Sequence, residues 1–86
     1  MTLRLRTDDL EWREIDDEIV LLDGREATYL STNGSGSILW RALAAGTTRE
    51  QLASALVDAY GIDERRATAD AEEFVAALAS QGLLAE

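Results

Sequence analysis

Apolar and polar residues alternate along the first third of the chain, and the later residues follow a helical spacing. Residues 10–15 alternate like a strand, residues 18–22 are mostly apolar, and residues 26–31 carry Thr, Tyr and Leu. β-branched and aromatic residues in short runs of this kind are typical of strands. Asp16-Asp17 and Asp23-Gly24 separate the runs, and glycine accepts the positive φ that tight turns require. The pattern therefore predicts three antiparallel strands.

The hairpin between the second and third predicted strands has two candidate registers. A two-residue loop at Asp23 and Gly24 would place apolar Leu22 opposite charged Arg25. A four-residue loop over residues 23–26 places Leu22 beside Ala27 instead. Because a slip of one residue moves every side chain to the other face, we predict the four-residue loop. The predicted core face carries Leu10, Trp12, Ile19, Leu21, Thr28 and Leu30, and the half-exposed face carries Arg13, Val20, Leu22, Ala27 and Tyr29.

The remaining residues have the 3.6-residue period of helices and are divided by glycines. Residues 31–37 are rich in Ser and Gly, so they predict a loop with N-cap residues for a helix over residues 38–45. Thr47 or Thr48 begins a second helix, with Glu or Gln three residues later at the spacing of a capping box. The buried stripe predicted for that helix is Leu52, Leu56 and Tyr60.

Asp63 caps the third predicted helix, which runs over residues 64–81. The order of the elements predicts an α+β fold with a winged helix-turn-helix-like layout, in which a three-stranded antiparallel sheet is followed by three helices. Residues 1–9 are expected to be a flexible lead-in or a short extra strand, and residues 10–86 a single domain.

The third predicted strand has no later strand to pair with, so it should leave one row of backbone N–H and C=O groups free. Such an edge promotes aggregation unless it is covered or is used to bind a partner. We interpret it as the place where an extended peptide adds as a further strand, with the third helix as the adjacent wall. Homodimer pairing through the same edge is the alternative. The candidate peptide-binding residues are Glu26, Ala27, Thr28, Tyr29, Leu30 and Ser31 on the strand and Asp70, Glu73, Phe74 and Ala77 on the helix.

Composition excludes several kinds of catalytic chemistry. The chain has no His and no Cys, and its eight basic residues are all Arg. Disulfides, thiolate metal sites, imidazole bases and lysine Schiff bases are therefore impossible. Adjacent carboxylates such as Glu72-Glu73 point apart on a helix and are typical of solvated surface. We expect no enzymatic activity, no cofactor and no metal site.

The net charge of −9 favours cationic partners over phosphate backbones and anionic lipid. The third predicted helix is acidic, whereas a DNA-recognition helix needs basic and amide side chains, so charge opposes the alternative of a winged-helix DNA-binding regulator. A carrier protein is a further alternative, which the strand-like first third opposes. The sequence has no apolar run of about 18 residues and no signal-peptide pattern, so we expect no membrane span and a cytoplasmic location.

A series of short motifs extends from residue 10 to residue 84. They are Trp12-Arg13, Ile19-Val-Leu-Leu-Asp23-Gly24, Tyr29-Leu-Ser-Thr-Asn-Gly34, Ile38-Leu-Trp40, Gly46-Thr47, Asp70, Phe74, Leu78 and Gly82-Leu83-Leu84. In this order and spacing they resemble the PqqD-like family, the recognition elements of ribosomally made, post-translationally modified peptides (RiPPs).

The resemblance implies a non-catalytic protein that binds the leader segment of a precursor peptide and presents it to partner enzymes. In the family the leader adds to the third strand and lies against the third helix, in agreement with the edge interpretation. The resemblance favours a free-standing protein of a lasso-peptide pathway, beside a leader peptidase and an ATP-dependent cyclase. Leaders of that class are expected to contain basic residues. A peptide chaperone of pyrroloquinoline quinone biosynthesis is the alternative within the family.

Overall fold

Three strands form one antiparallel sheet, and all of them precede the helices. The computed structural model describes residues 2–25 and 27–85, with Thr28 described for its backbone alone. The strands are β1 (Leu10–Ile15), β2 (Glu18–Asp23) and β3 (Thr28–Asn33), and the helices are α1 (Ser35–Ala45), α2 (Arg49–Tyr60) and α3 (Glu64–Ser80). The sheet order is β1-β2-β3. The predicted α+β fold, a three-stranded antiparallel sheet followed by three helices, is confirmed.

The register between β2 and β3 differs by two residues from the predicted one. Leu22 pairs with Tyr29, so the prediction that it would lie beside Ala27 is wrong. The reason is that Ala27 has a φ of 51° and belongs to the turn, which delays the start of β3 to Thr28. Because the shift is even, the strand residues keep their predicted faces, and Leu21 pairs with Leu30 on the core side.

β3 also extends further than predicted, and α1 starts earlier. Thr32 and Asn33, predicted as loop, pair with β2 because β2 begins early enough to give them partners. Gly34 at φ 58° is the N-cap of α1 and makes no side-chain cap bond. Ser37 is buried inside α1, where its hydroxyl donates to the carbonyl oxygen of Asp17 at 3.0 Å and lies 3.2 Å from that of Thr32. Ser37 thereby connects α1 to the turn between β1 and β2 and to β3.

The caps of α2 and α3 follow the predicted residue chemistry. Thr48 and Gln51 form a complete capping box, and α2 ends at Gly61 in the left-handed conformation. The Asp63 side chain accepts a backbone N–H in the first turn of α3. The predicted burial of Tyr60 is wrong, since its side chain is 50% exposed at the last turn of α2, beyond the reach of the core.

The core lies between the inner face of the sheet and the three helices. Ile19 and Leu21 of β2 are buried against Trp40 and Leu43 of α1 and the apolar stripes of α2 and α3. Trp12 packs edge-to-face on Trp40 with ring centroids 6.0 Å apart. Each fully buried large side chain contributes about 1.5–3 kcal/mol, so this layer supplies most of the stability.

An exposed ion pair joins α1 to β1 above that layer. Arg41 Nε and Nη2 donate to the two carboxylate oxygens of Glu14, each at 2.9 Å. The hydrogen bond with Glu14 raises the pKa of Arg41 further above its ordinary value.

The lead-in packs onto the fold at two points. Leu3 forms an isolated antiparallel bridge with Thr47, and Leu5 forms another with Leu84. Leu5 is buried within the hydrophobic core cluster. The segment before β1 therefore connects the start of α2 to the residues after α3.

Arg6 is a buried charge that connects the lead-in to the sheet. Its guanidinium pairs with Asp23, and both side chains are less than a tenth exposed. Arg6 Nη1 also donates to the carbonyl oxygen of Gly82 at 2.7 Å, and Nε to that of Asp8 at 2.8 Å. The Asp23 carboxylate accepts the backbone N–H of Arg25 at 3.1 Å, in the turn that leads to β3.

Candidate peptide-binding groove

The sheet has two edges, and they differ in charge. β1 carries Glu11, Arg13 and Glu14 among its six residues, and charged side chains protect an edge from added strands. β3 has the sequence Thr-Tyr-Leu-Ser-Thr-Asn, without a charged side chain. It pairs with β2 on one side only. Of the two edges, β3 is the one suited to accept a further strand.

The first half of the groove is a cavity of about 420 Å³ beside α3. Its lining consists of Ser35, Asp70, Glu73, Phe74 and Ala77. The four α3 residues are spaced by three and four positions, which places them on one helical face. Among the described residues, no Cα of β3 lies within 8 Å of a Cα of α3. The helix thus forms a wall without closing the strand edge.

The ring of Phe74 lies next to the first turn of α1, close to the place where that turn contacts Thr32 of β3. A Cβ at Gly36 would lie 3.6 Å from Cε1 of Phe74 and only 1.9 Å from Oγ1 of Thr32. Glycine at position 36 therefore leaves room for the Thr32 side chain of β3 against the first turn of α1. Phe74 is half-buried against the core while it also lines the cavity, so it serves as the floor of the groove.

A second cavity of about 340 Å³ continues the groove towards α2. Its lining consists of Ser35, Leu56, Tyr60, Ile62, Arg66 and Asp70. Ser35 and Asp70 line both cavities, and we call the combined feature the α3 groove. Its lining comes from the helices and the α2–α3 loop, and Ser35 lies two residues after the end of β3. Tyr60 Oη would lie 3.9 Å from a Cβ at Gly34, so this side chain reaches from α2 to the start of α1. Half-exposed Tyr60 thus belongs to the groove rather than to the core.

The groove wall carries more negative than positive charge. Asp70 and Glu73 are both exposed. Arg66 Nε lies 3.8 Å from Asp70 Oδ2, an exposed pair of little energetic weight. In the part of the chain that the structure describes, Glu73 makes no ion pair. Its neighbour Glu72 pairs instead with Arg49 of α2 at 3.2 Å, away from the groove.

The structure places the predicted residues as follows. Asp70, Glu73, Phe74 and Ala77 line one cavity, and Tyr29, Leu30 and Ser31 lie within β3. Leu30 is partly buried on the core side, and Tyr29 is exposed on the outer side. Ala27 lies in the turn rather than on the edge strand. Glu26 and the Thr28 side chain lie outside the described residues.

The sequence reasoning missed several lining residues. Arg66 lies four residues before Asp70, so helical spacing alone could have found it. Ser35 lies in the predicted loop of residues 31–37. Tyr60 belongs to the predicted buried stripe because it continues the spacing of Leu52 and Leu56. That spacing does not reveal that the last turn of α2 extends past the packed layer.

Residues 2–25 and 27–85 contain neither a candidate metal centre nor a membrane-spanning helix. No group of three or more Asp and Glu side chains there is arranged to hold a metal ion. None of the helices found there is both long and apolar enough for a membrane span.

The sequence pattern of a known family matches most of the fold. The family described as coenzyme PQQ synthesis protein D (PqqD) matches residues 18–84, from the start of β2 to the segment after α3. The chain belongs to the PqqD family. The resemblance inferred from the sequence motifs is therefore confirmed. Among curated proteins the chain has no match.

Two solved structures are similar to this PqqD-family chain over nearly its whole length. One is TbiB1 in complex with the TbiA(beta) leader peptide, with 32% identity and a TM-score of 0.87, covering 94% of this chain and 93% of that chain. The other is a lasso peptide synthetase B1 complexed with the leader peptide, with 26% identity and a TM-score of 0.84, covering 98% of both chains. Both of these structures contain a bound leader peptide.

Proposed function

We propose that this PqqD-family chain is a non-catalytic protein of a lasso-peptide pathway, and that it binds the leader segment of a ribosomally made precursor peptide. The observation that carries the proposal is an uncharged edge strand beside an acidic groove on α3. The similarity to two leader-bound proteins supports it.

The leader adds to β3 as a fourth strand in this mechanism. Its main chain pairs with the free N–H and C=O groups of the edge, which fixes the register. Alternate leader side chains enter the α3 groove, where Phe74 offers an apolar floor and Asp70 and Glu73 attract basic groups. A short peptide bound in this way reaches micromolar to nanomolar affinity, about 8–12 kcal/mol.

Binding of the leader promotes the reactions that modifying enzymes carry out on the precursor peptide. A tethered precursor meets its modifying enzymes at an effective concentration of about millimolar, so the chain accelerates their reactions without a catalytic group of its own. The partners in this proposal are the leader peptidase and the ATP-dependent cyclase of the same pathway, and the setting is the cytoplasm. The description of the matched family favours a second candidate, a peptide chaperone of pyrroloquinoline quinone biosynthesis.

A charge reversal with a matched neighbour tests the site. The leader comes from a precursor peptide sought in the open reading frames next to the gene of this chain. A fluorescent copy of it is titrated against Glu73→Arg and against Glu72→Arg as the control. The two variants have the same net charge, but only Glu73 lines the groove, since Glu72 pairs with Arg49. Replacing an attraction of about 1 kcal/mol by an equal repulsion weakens binding by about 2 kcal/mol, or about thirtyfold, at low salt.

The control should lose less affinity than Glu73→Arg at low salt, and it should stay within about twofold of the wild type at physiological salt, where charges more than about 8 Å apart are largely screened. The difference between the two variants should shrink as salt rises. Equal effects of the two reversals would contradict the site, and no leader binding by the wild type would contradict the function. Binding of the precursor for pyrroloquinoline quinone, in place of a lasso precursor, would support the second candidate.

A further inference from the structure

The edge strand and the helical wall of the proposed leader site do not touch along their length. Among the described residues, no Cα of β3 lies within 8 Å of a Cα of α3. Near the end of β3, the first turn of α1 contacts Thr32 and lies next to the ring of Phe74 of α3. This contact holds the two elements at one end of the site. At the other end, where β3 begins and α3 ends, the spacing depends on a different connection.

Arg6 makes that second connection. Its Nη1 donates to the carbonyl oxygen of Gly82, two residues after the end of α3, at 2.7 Å. Its Nη2 pairs with Asp23, which lies opposite Thr28, the first residue of β3. One guanidinium therefore bonds to the end of α3 and to the base of the edge strand. Because the N–H groups of a guanidinium form a rigid planar fork, they fix the distance between these two acceptors.

The main chain of the lead-in makes the same connection. The N–H of Arg6 donates to the carbonyl oxygen of Leu83 at 2.8 Å, after α3. The N–H of Gly24, in the turn before β3, donates to the carbonyl oxygen of Asp9 at 2.7 Å. The Arg6 side chain is only 8% exposed, so water competes little for its bonds. Arg6 also precedes residues 18–84, which match the family pattern, so that match assigns no role to it.

We propose that Arg6 is a positioning residue of the leader-binding site, whose guanidinium sets the spacing between β3 and α3. The inference rests on the proposed leader-binding function. A leader strand paired with β3 must place its side chains against α3 at the same time, so a change in this spacing weakens one set of contacts or the other. Seating of the lead-in and binding of the leader are therefore coupled, and each favours the other by the same factor.

The double variant Arg6→Met/Asp23→Asn removes the guanidinium without leaving a buried charge. Asn keeps the side-chain oxygen that accepts the backbone N–H of Arg25. The matched control is Arg41→Met/Glu14→Gln, which neutralises the exposed pair between α1 and β1. Both double variants keep the net charge of −9, because each loses one positive and one negative charge. In polarisation titrations with the fluorescent leader, the Arg6 variant should bind at least about fivefold more weakly, and the control should stay within about twofold of the wild type.

A purely stabilising role of Arg6 predicts a different result. Loss of stability lowers the apparent leader affinity only in proportion to the chains that unfold. With at least about 95% of the chains folded, this loss stays below about 1.1-fold. Urea unfolding of each variant in the titration buffer measures the folded fraction. A fivefold loss in a folded variant therefore reports a change in the geometry of the native site.

Hydrogen exchange of the wild type gives a second measurement that does not depend on how well the variant folds. The amides of Leu3 and Arg6 donate to Thr47 and Leu83, so without denaturant their exchange reports local opening of the lead-in. Saturating leader should slow this exchange at least about fivefold, because the coupling is reciprocal.

Three outcomes would overturn the inference. The first is equal leader affinity of the folded Arg6 variant and the control, and the second is lead-in exchange that saturating leader leaves unchanged. In both of these cases the wild type still binds the leader, so the proposed function stands. The third is absence of leader binding by the wild type, which contradicts the proposed function and the inference together.

Discussion

The buried pair between Arg6 and Asp23 permits a quantitative prediction. In Asp23→Ala the guanidinium keeps its carbonyl acceptors, Gly82 at 2.7 Å and Asp8 at 2.8 Å, but loses the carboxylate that balances its charge. Removing one partner of a buried pair costs about 3–5 kcal/mol. A chain of this length has a total stability of about 4–13 kcal/mol. The substitution should therefore remove a large part of it and lower the melting temperature by about 12–24 °C for a loss of 3 kcal/mol.

Urea unfolding followed by tryptophan fluorescence measures this loss. Trp40 is 1% exposed and contacts Trp12, so the emission reports directly on the core. Glu14→Ala is the matched control, because it removes the carboxylate of an exposed arginine pair and should shift the midpoint far less. The double variant Arg6→Met/Asp23→Ala should be more stable than Asp23→Ala alone, since no uncompensated charge remains buried.

The double variant also provides the refutation. The reasoning is wrong if Asp23→Ala costs less than about 1 kcal/mol. It is also wrong if the stability losses of Arg6→Met and Asp23→Ala add up to that of the double variant, because the two side chains would then contribute independently.

Three further predictions concern the groove and its frame. Gly36→Ala should lower the free energy of unfolding in urea by more than about 2 kcal/mol, because the new Cβ would overlap Oγ1 of Thr32 in β3. Gly61→Ala has open space around its Cβ and only the positive φ of 64° opposes it, so it should cost about 1 kcal/mol. Phe74→Ala should weaken leader binding at least about tenfold in a polarisation assay, and an unchanged affinity would remove Phe74 from the site. The N–H groups of residues 28 and 31 point to opposite sides of β3, and Thr28→Pro and Ser31→Pro each remove one of them. The variant that loses the N–H facing β2 should show a disturbed sheet by circular dichroism. The other should leave the sheet intact and abolish leader binding, and a folded proline variant that still binds would contradict strand addition.

The sequence predicted the order of elements because the apolar period changes clearly from two to 3.6. It did not predict the β2–β3 register. The decisive residue is Ala27, which adopts a φ of 51° although alanine carries no signal for that conformation. The faces were still predicted correctly, since the register error was even.

The helical half of the candidate site was more predictable than the strand half. Spacing on a helix fixes which residues share a face, and Asp70, Glu73, Phe74 and Ala77 line one cavity as that spacing predicts. Their role in peptide binding stays a prediction. Tyr60 was misplaced because its exposure depends on where α2 ends relative to the core. The position of this end depends on how the whole chain folds, so the spacing of apolar residues along α2 does not predict it.

The two bridges of the lead-in have a topological consequence. Leu5 pairs with Leu84, and the N–H of Ala85 donates to the carbonyl oxygen of Arg4 at 2.9 Å, so the two ends of the described chain run side by side. A short linker could join them while a new opening is cut in the turn between β1 and β2, because adjacent ends tolerate circular permutation. The same adjacency lets this domain be inserted into a surface loop of a larger enzyme, and the strand edge and α3 would keep their relative positions.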